Sequence, residues 1–213
     1  FEYHTGQLKA IVGGRDEPTV KKALNRAYDA HMPVGSSIKP LSVYGPALNK
    51  GFPPSTIVLD IPTKIPGWTT ETGYPNNYGG TFSGPIKMRE AMYRSVNMAA
   101  VRILTDFVTP DDSYRTLETL GIASSSINKD GSGLALGTSG ISVLEMAVAY
   151  GAIGNKGTYL EPISFTKVVD SKGNVLLDAS QMQINRPVFS PSASWLLVDM
   201  MKDVVNRGTG GKA

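Results

Sequence analysis

Six residues, Gly35-Ser36-Ser37-Ile38-Lys39-Pro40, constrain this chain more than any other stretch. Proline and glycine punctuate the residues before them, Ala30-His31-Met32-Pro33-Val34-Gly35, and apolar and small polar residues then alternate at helical spacing to about Lys50. That pattern predicts a long helix starting near Ser36. On it Ser36 and Lys39 stand one turn apart on one face, so the ammonium can reach the hydroxyl. A serine hydroxyl becomes a nucleophile when a base takes its proton, and a lysine desolvated in a cleft is neutral enough to do so, because burial lowers its pKa. The alternative is structural: Ser36 as helix N-cap and Lys39 as solvated surface.

The remaining chemistry is narrowed by composition. With 213 residues, 41% hydrophobic and 18% charged, the chain can bury one sizeable core, so a single soluble domain is expected. A net charge of +3, spread over pairs such as Lys21-Lys22, gives no reason to expect nucleic acid as a partner. Cysteine is absent and His4 and His31 form no ligand cluster, so neither a metal nor another cofactor is expected. No apolar run is long enough to span a bilayer, and any export signal or anchor is expected to lie outside these residues.

In order along the chain, residues 1–15 predict a hairpin, with strands at Phe1-Glu2-Tyr3 and Leu8-Lys9-Ala10-Ile11-Val12 joined by His4-Thr5-Gly6-Gln7. Residues 19–30 read as a short helix or an irregular lead-in to Ser36. Residues 51–84 form a long, proline-marked, irregular region containing Trp68 and the polar run Tyr74-Pro75-Asn76-Asn77-Tyr78-Gly79-Gly80; loops of that length are commonly functional. Pro85 then reads as a first helical residue, followed by a stripe of Met88, Ala91, Met92 and Ser95, and a second helix carries Ala100, Ile103, Leu104, Phe107 and Val108. Their join, Ser95-Val96-Asn97, is a corner where side chains can point into a cleft. A further helix spans 110–121. Residues 131–137 read as a loop, because the glycine spacing fails the dinucleotide fingerprint. Ser142 and Glu145 form a capping box for a helix with Leu144, Ala147, Val148 and Gly151 buried. A second hairpin surrounds Asp170-Ser171-Lys172-Gly173, and 190–206 is a long helix with Trp195, Leu196, Met200 and Val204 on one side. The class is α+β (mixed α and β), one domain with a large helical part.

Ser-x-x-Lys by itself is weak, and it occurs three times. Ser126 to Lys129 lies in a turn, and Ser164 to Lys167 reads as strand, where residues three apart face opposite sides. Only Ser36 to Lys39 combines a glycine for close approach with a helix start behind the nucleophile. Ser-x-Asn is weaker still, occurring at Ser95 to Asn97 and at Ser126 to Asn128; a helix junction capped by asparagine explains the first copy equally well. The combination carries more weight than either motif.

Taken together the motifs resemble those of the penicillin-binding serine acyltransferases, whose signature is Ser-x-x-Lys, Ser-x-Asn and Lys-Thr-Gly. More narrowly, the sequence is similar to the transpeptidase domain of class A (bifunctional) penicillin-binding proteins. The likeness runs nearly end to end, through Lys9-Ala10-Ile11-Val12-Gly13-Gly14, Asn77-Tyr78-Gly79-Gly80-Thr81-Phe82, Gly84-Pro85-Ile86-Lys87-Met88-Arg89-Glu90-Ala91 and Val205-Asn206-Arg207-Gly208-Thr209-Gly210. The resemblance implies a penicillin-binding/β-lactamase-like fold and catalysis by Ser36, with Lys39 as its base and Ser95 relaying a proton. It implies Asn97 as a substrate-binding residue that also orients Lys39, and the Ser36 N–H as an oxyanion donor. The implied ligands are a peptidoglycan stem peptide ending in D-Ala-D-Ala, an acceptor amine, and β-lactams, at the extracytoplasmic face of a bacterial membrane. A D,D-carboxypeptidase, a β-lactamase and a penicillin-binding sensor are the alternatives. No Lys-Thr-Gly occurs among the 213 residues. Residues 1–213 are therefore expected to be a partial domain with an incomplete antiparallel sheet, lacking the third motif and any glycosyltransferase domain or anchor. A companion polypeptide is expected to carry the remaining strands.

Overall fold

A computed structural model describes residues 1–15 and 20–212. Two prolines shape its central segment. Pro40 has no N–H to offer the Ser36 carbonyl, which instead accepts from Lys39 N–H, and Gly35–Ile38 tightens into a 3₁₀ turn. Pro46 removes a second α-helical donor; Pro40–Tyr44 winds as π-helix, and Gly45–Asn49 (α1) continues as regular α-helix. The expected run from Ser36 thus forms, in three pitches. Ile38, Leu41, Val43, Tyr44 and Ala47 on it are completely buried. Each large apolar side chain so buried contributes on the order of 1.5–3 kcal/mol, which anchors the segment.

Around this run pack α2 (Met88–Tyr93), α3 (Asn97–Ile103), its π-helical continuation Leu104–Val108, α4 (Pro110–Thr119), α5 (Gly131–Leu136), α6 (Val143–Gly154) and α8 (Pro191–Arg207), while the short α7 (Ala179–Met182) lies apart from that core, beside Thr5 and Ile163. Their starts follow the capping residues in the sequence. Thr109, Asp130 and Ser190 accept N–H bonds at α4, α5 and α8, and the Ser142–Glu145 capping box opens α6 as expected. Among the described residues the named strands form four antiparallel pairs: β1 (Met32–Pro33) with β4 (Gly140–Ile141), β2 (Ile57–Asp60) with β3 (Gly84–Lys87), β5 (Thr158–Leu160) with β8 (Asn185–Pro187), and β6 (Lys167–Val169) with β7 (Val175–Asp178). The last pair is the expected second hairpin. The class is α+β, with helices dominating the core.

Several expectations are corrected. The first hairpin reduces to a tight turn with a Glu2–Gln7 bridge, and residues 8–12 form no strand. Of the two readings of residues 19–30 the irregular lead-in is the one that forms: Thr19 lies outside the described residues, and 20–30 contains turns and no helix. Pro85 sits in β3 opposite Leu59, where its missing N–H costs nothing on an edge, and helix α2 begins three residues later. Residues 131–136 of the expected loop are helical, because Asp130 caps Gly133 N–H and Gly137 closes the helix in the left-handed region. Ala147 is exposed, the buried stripe of α6 being Val148, Ala149, Ala152 and Ile153. Trp195 is 68% exposed, whereas Ala193, Leu197 and Met200 face inward. Ser164 lies in a bend ahead of β6, so only Lys167 of that copy of Ser-x-x-Lys is on the strand.

The helix missed at α5 positions the site. Ser42 Oγ donates to Leu134 O at 2.5 Å, and Gly35 N–H donates to Gly137 O at 2.9 Å. A Cβ on Gly137, whose φ is +74°, would stand 2.1 Å from Gly35 O. Glycine there lets two backbones touch immediately ahead of Ser36.

Candidate active site

The helical run, the α2–α3 corner and the end of α8 enclose a cleft of about 310 Å³ lined by Ser36, Lys39, Tyr44, Ser95, Tyr150 and Thr209, among others. Ser36 and Lys39 share this face because side chains three apart eclipse on a 3₁₀ turn. Lys39 is 2% exposed. Its Nζ lies 2.8 Å from Ser95 O, 2.7 Å from Asn97 Oδ1 and 3.3 Å from Ser95 Oγ. No hydrogen bond joins Ser36 Oγ to Nζ among the described residues; the Ser-x-Asn corner holds the amine instead. Burial pushes the Lys39 pKa down from 10.5 to about 8. A neutral amine can give its two N–H groups to the carbonyl oxygens of Ser95 and Asn97, which leaves its lone pair free to accept a proton.

The sequence places Ser95 on the buried side of a helix, but the residue leaves the helix altogether. Its φ is +56°, with Ser95 N–H on Met92 O and Val96 N–H on Ala91 O. A serine in that region costs on the order of 1 kcal/mol, a strain that aims its hydroxyl at Lys39. Asn97 begins α3. Its Oδ1 accepts from Lys39 and its Nδ2 donates to Asn76 O at 2.9 Å, so much of the amide's capacity serves internal positioning. The other copy of Ser-x-Asn, at Ser126 to Asn128, takes no part in the cleft.

Two residues that sequence reasoning did not single out support this corner. Val96 cannot cap α3, and Asn77 from the long loop does so, its Oδ1 accepting from the N–H groups of Asn97 and Met98, each at 3.0 Å. Asp60, 1% exposed, fixes that amide by accepting from Asn77 Nδ2 at 2.7 Å and from Ser83 N–H at 2.8 Å. The polar run around Asn77 was a signal for function, but the partner Asp60 lies 17 residues away in sequence, on β2. We expect Asn77→Ala to cost about 2–3 kcal/mol in urea unfolding, since it uncaps a helix and strips a donor from a buried carboxylate.

At the far wall Arg89 on α2 bridges Asp199 (2.6 Å) and Asp203 (2.9 Å) on α8, holding Met201 and Val204 against the cleft. Deeper in, the Tyr44 hydroxyl is buried without a hydrogen-bond partner among the described residues, and burial raises its pKa. Tyr150 donates to Ser37 O at 2.7 Å and burial pushes it up to about 12. Among the described residues no group of three His, Cys, Asp or Glu could hold a metal ion.

The family model described as the penicillin binding protein transpeptidase domain matches residues 1–213. The chain belongs to that family. Among its relatives, penicillin-binding protein 1A of Clostridium perfringens (strain 13 / Type A) is 35% identical over 100% of this chain, which spans 32% of that protein. Thus the chain spans about a third of the length of this class A relative. Its fold is similar to the crystal structure of penicillin-binding protein 1A from Haemophilus influenzae, with a TM-score of 0.77, 25% identity, and coverage of 90% of this chain and 33% of that one. The PonA1 protein from Mycobacterium tuberculosis in complex with penicillin V has the same fold, with a TM-score of 0.78 at 23% identity over 96% of this chain and 54% of that one. The order and spacing of the matched stretches, from Lys9 to Gly210, made this membership legible in the sequence. No helix among the described residues is long and apolar enough to cross a membrane.

Proposed function

We propose that this penicillin-binding transpeptidase chain carries the nucleophile side of a serine D,D-transpeptidase, and that Ser36 forms the acyl-enzyme. The observation that carries this reading is the buried Lys39 amine held at the Ser95–Asn97 corner and lining the same cleft as Ser36. Lys39 takes the Ser36 proton as Oγ attacks the carbonyl between the last two D-alanines of a stem peptide. The Ser36 N–H, in the first turn where helix donors are uncommitted, stabilises the oxyanion. Ser95 passes a proton to the departing nitrogen, the C–N bond breaks, and D-alanine leaves. An amine on a neighbouring stem then takes the acyl group and Ser36 is regenerated. Lys39 and Ser36 lack a direct bond before substrate arrives, as is common for catalytic contacts that tighten only in the complex.

A β-lactam would acylate the same hydroxyl, its ring amide standing in for the peptide bond. The membership in a family with penicillin in its name, and a fold-mate bound to penicillin V, support that reading. On this reading the site works on the extracytoplasmic side of a bacterial membrane, where peptidoglycan is cross-linked. The test is to incubate the intact protein with a peptide ending in D-Ala-D-Ala and an amine acceptor. Release of D-alanine together with a new amide product is expected. Release with only the hydrolysed peptide would make the protein a carboxypeptidase, and rapid penicillin turnover would make it a β-lactamase.

A further inference from the structure

We propose that the cleft beyond Ser95 seats the acyl acceptor, and that Arg94 and Arg207 select an amine whose chain also carries a carboxylate. The inference rests on the reading of Ser36 as the acylated residue and deepens it. A second cleft, of about 330 Å³, adjoins the first and shares Ser95 and Thr209 with it. Its lining is mostly polar and includes Asp60, Arg94 and Arg207. The carboxylate of Asp60 offers little to a ligand: it is 1% exposed, and Asn77 and Ser83 occupy its two oxygens.

The guanidinium groups remain. Arg94 gives one N–H to Glu90 at 2.8 Å and one to Ser83 Oγ at 3.0 Å, and Arg207 gives one to Asp203 at 2.7 Å. A guanidinium has five N–H donors, so both keep donors to spare, and neither Glu90 nor Asp203 lines the cleft. Arg207 is also held in place over the Tyr93 ring, its Cζ 4.7 Å from the centroid. Two fixed, partly exposed forks facing one polar cleft match a carboxylate, which accepts such forks in pairs.

Mechanism assigns that carboxylate to the acceptor. The attacking amine must enter where the leaving nitrogen departed, beside Ser95 Oγ, because the second half-reaction reverses the geometry of the first. Its nitrogen adds to the acyl carbonyl, the C–N bond replaces the ester C–O bond, and the displaced amine proton returns to Ser36 Oγ by way of Ser95 and Lys39. A chain bearing that amine runs on past Ser95 and Thr209 into the second cleft.

The experiment is a partition measurement on the intact protein acylated by a D-Ala-D-Ala peptide. Nα-acetyl-lysine and Nα-acetyl-lysinamide, which differ in one carboxylate, compete with water for the acyl-enzyme. The aminolysis-to-hydrolysis ratio is expected to be roughly tenfold higher for the carboxylate in the wild type, and equal for the two amines in an Arg94→Gln, Arg207→Gln double variant. Both products come from one acyl-enzyme, so the ratio does not depend on the fraction of variant that folds. Equal ratios in the wild type, or a preference that survives in the double variant, would overturn the proposal alone. Failure to form any acyl-enzyme on Ser36 would overturn the proposed function with it.

Discussion

Replacing Lys39 with alanine is expected to slow acylation of the protein by a β-lactam roughly a hundredfold to ten-thousandfold, the usual worth of a positioned general base. The direction follows from the cleft. Lys39 Nζ is buried, fixed by two carbonyl oxygens, and shifted from 10.5 to about 8 by desolvation. Only its neutral form can accept a proton, so the wild-type rate should climb with pH up to about 8 and level off above it. In the alanine variant the residual rate should lose that inflection. The same shift has a stability consequence. The unfolded lysine keeps its proton up to about 10.5, so between about 8 and 10.5 the unfolded chain binds more protons and stability rises with pH; below about 8 the full cost of burying the charge is present. An acylation rate unchanged in Lys39→Ala would remove the lysine from the proposed mechanism.

Ser36→Ala should abolish covalent labelling by a fluorescent penicillin while leaving the fold intact. Neighbouring hydroxyls cannot take over. Ser37 Oγ is turned away to Val34 O at 2.6 Å, and Ser95 Oγ is held against Lys39 at 3.3 Å at the corner between α2 and α3. Ser36 is outside the hydrophobic core, and alanine suits a helical turn, so unfolding free energy should change by no more than about 0.5 kcal/mol. Labelling that persists in this variant would place the nucleophile elsewhere.

What could be read in the sequence follows a physical divide. Local signals survived: the Ser36 run, the Ser142–Glu145 capping box, the hairpin around residues 170–173 and the long helix ending at Arg207 all rest on caps, turns and periodicity within a few residues. Failures came where a distant partner overrides a local rule. Pro85 reads as a helix start, yet β2 supplies the strand that claims it. Gly131 to Gly137 reads as a loop because glycine is a weak helix former, yet an Asp130 cap and packing beside Gly35 make it a helix. Trp195 reads as core, but the inward face of α8 is one residue away. In the site, Ser36, Lys39, Ser95 and Asn97 were legible as motifs, and the structure brings Lys39, Ser95 and Asn97 into contact beside Ser36. The buried Asp60 and the capping role of Asn77 were not, since no spacing rule links a strand residue to the start of a helix 37 residues later.

The most direct test is mass spectrometry of the intact protein after brief exposure to penicillin, with fragmentation to locate the adduct. Opening the lactam ring adds the whole drug and releases nothing, so one equivalent of the full penicillin mass is expected, on Ser36 within the peptide that begins after Arg26. An adduct on Ser37, Ser95 or any other residue, or a protein that stays unmodified, would contradict the account.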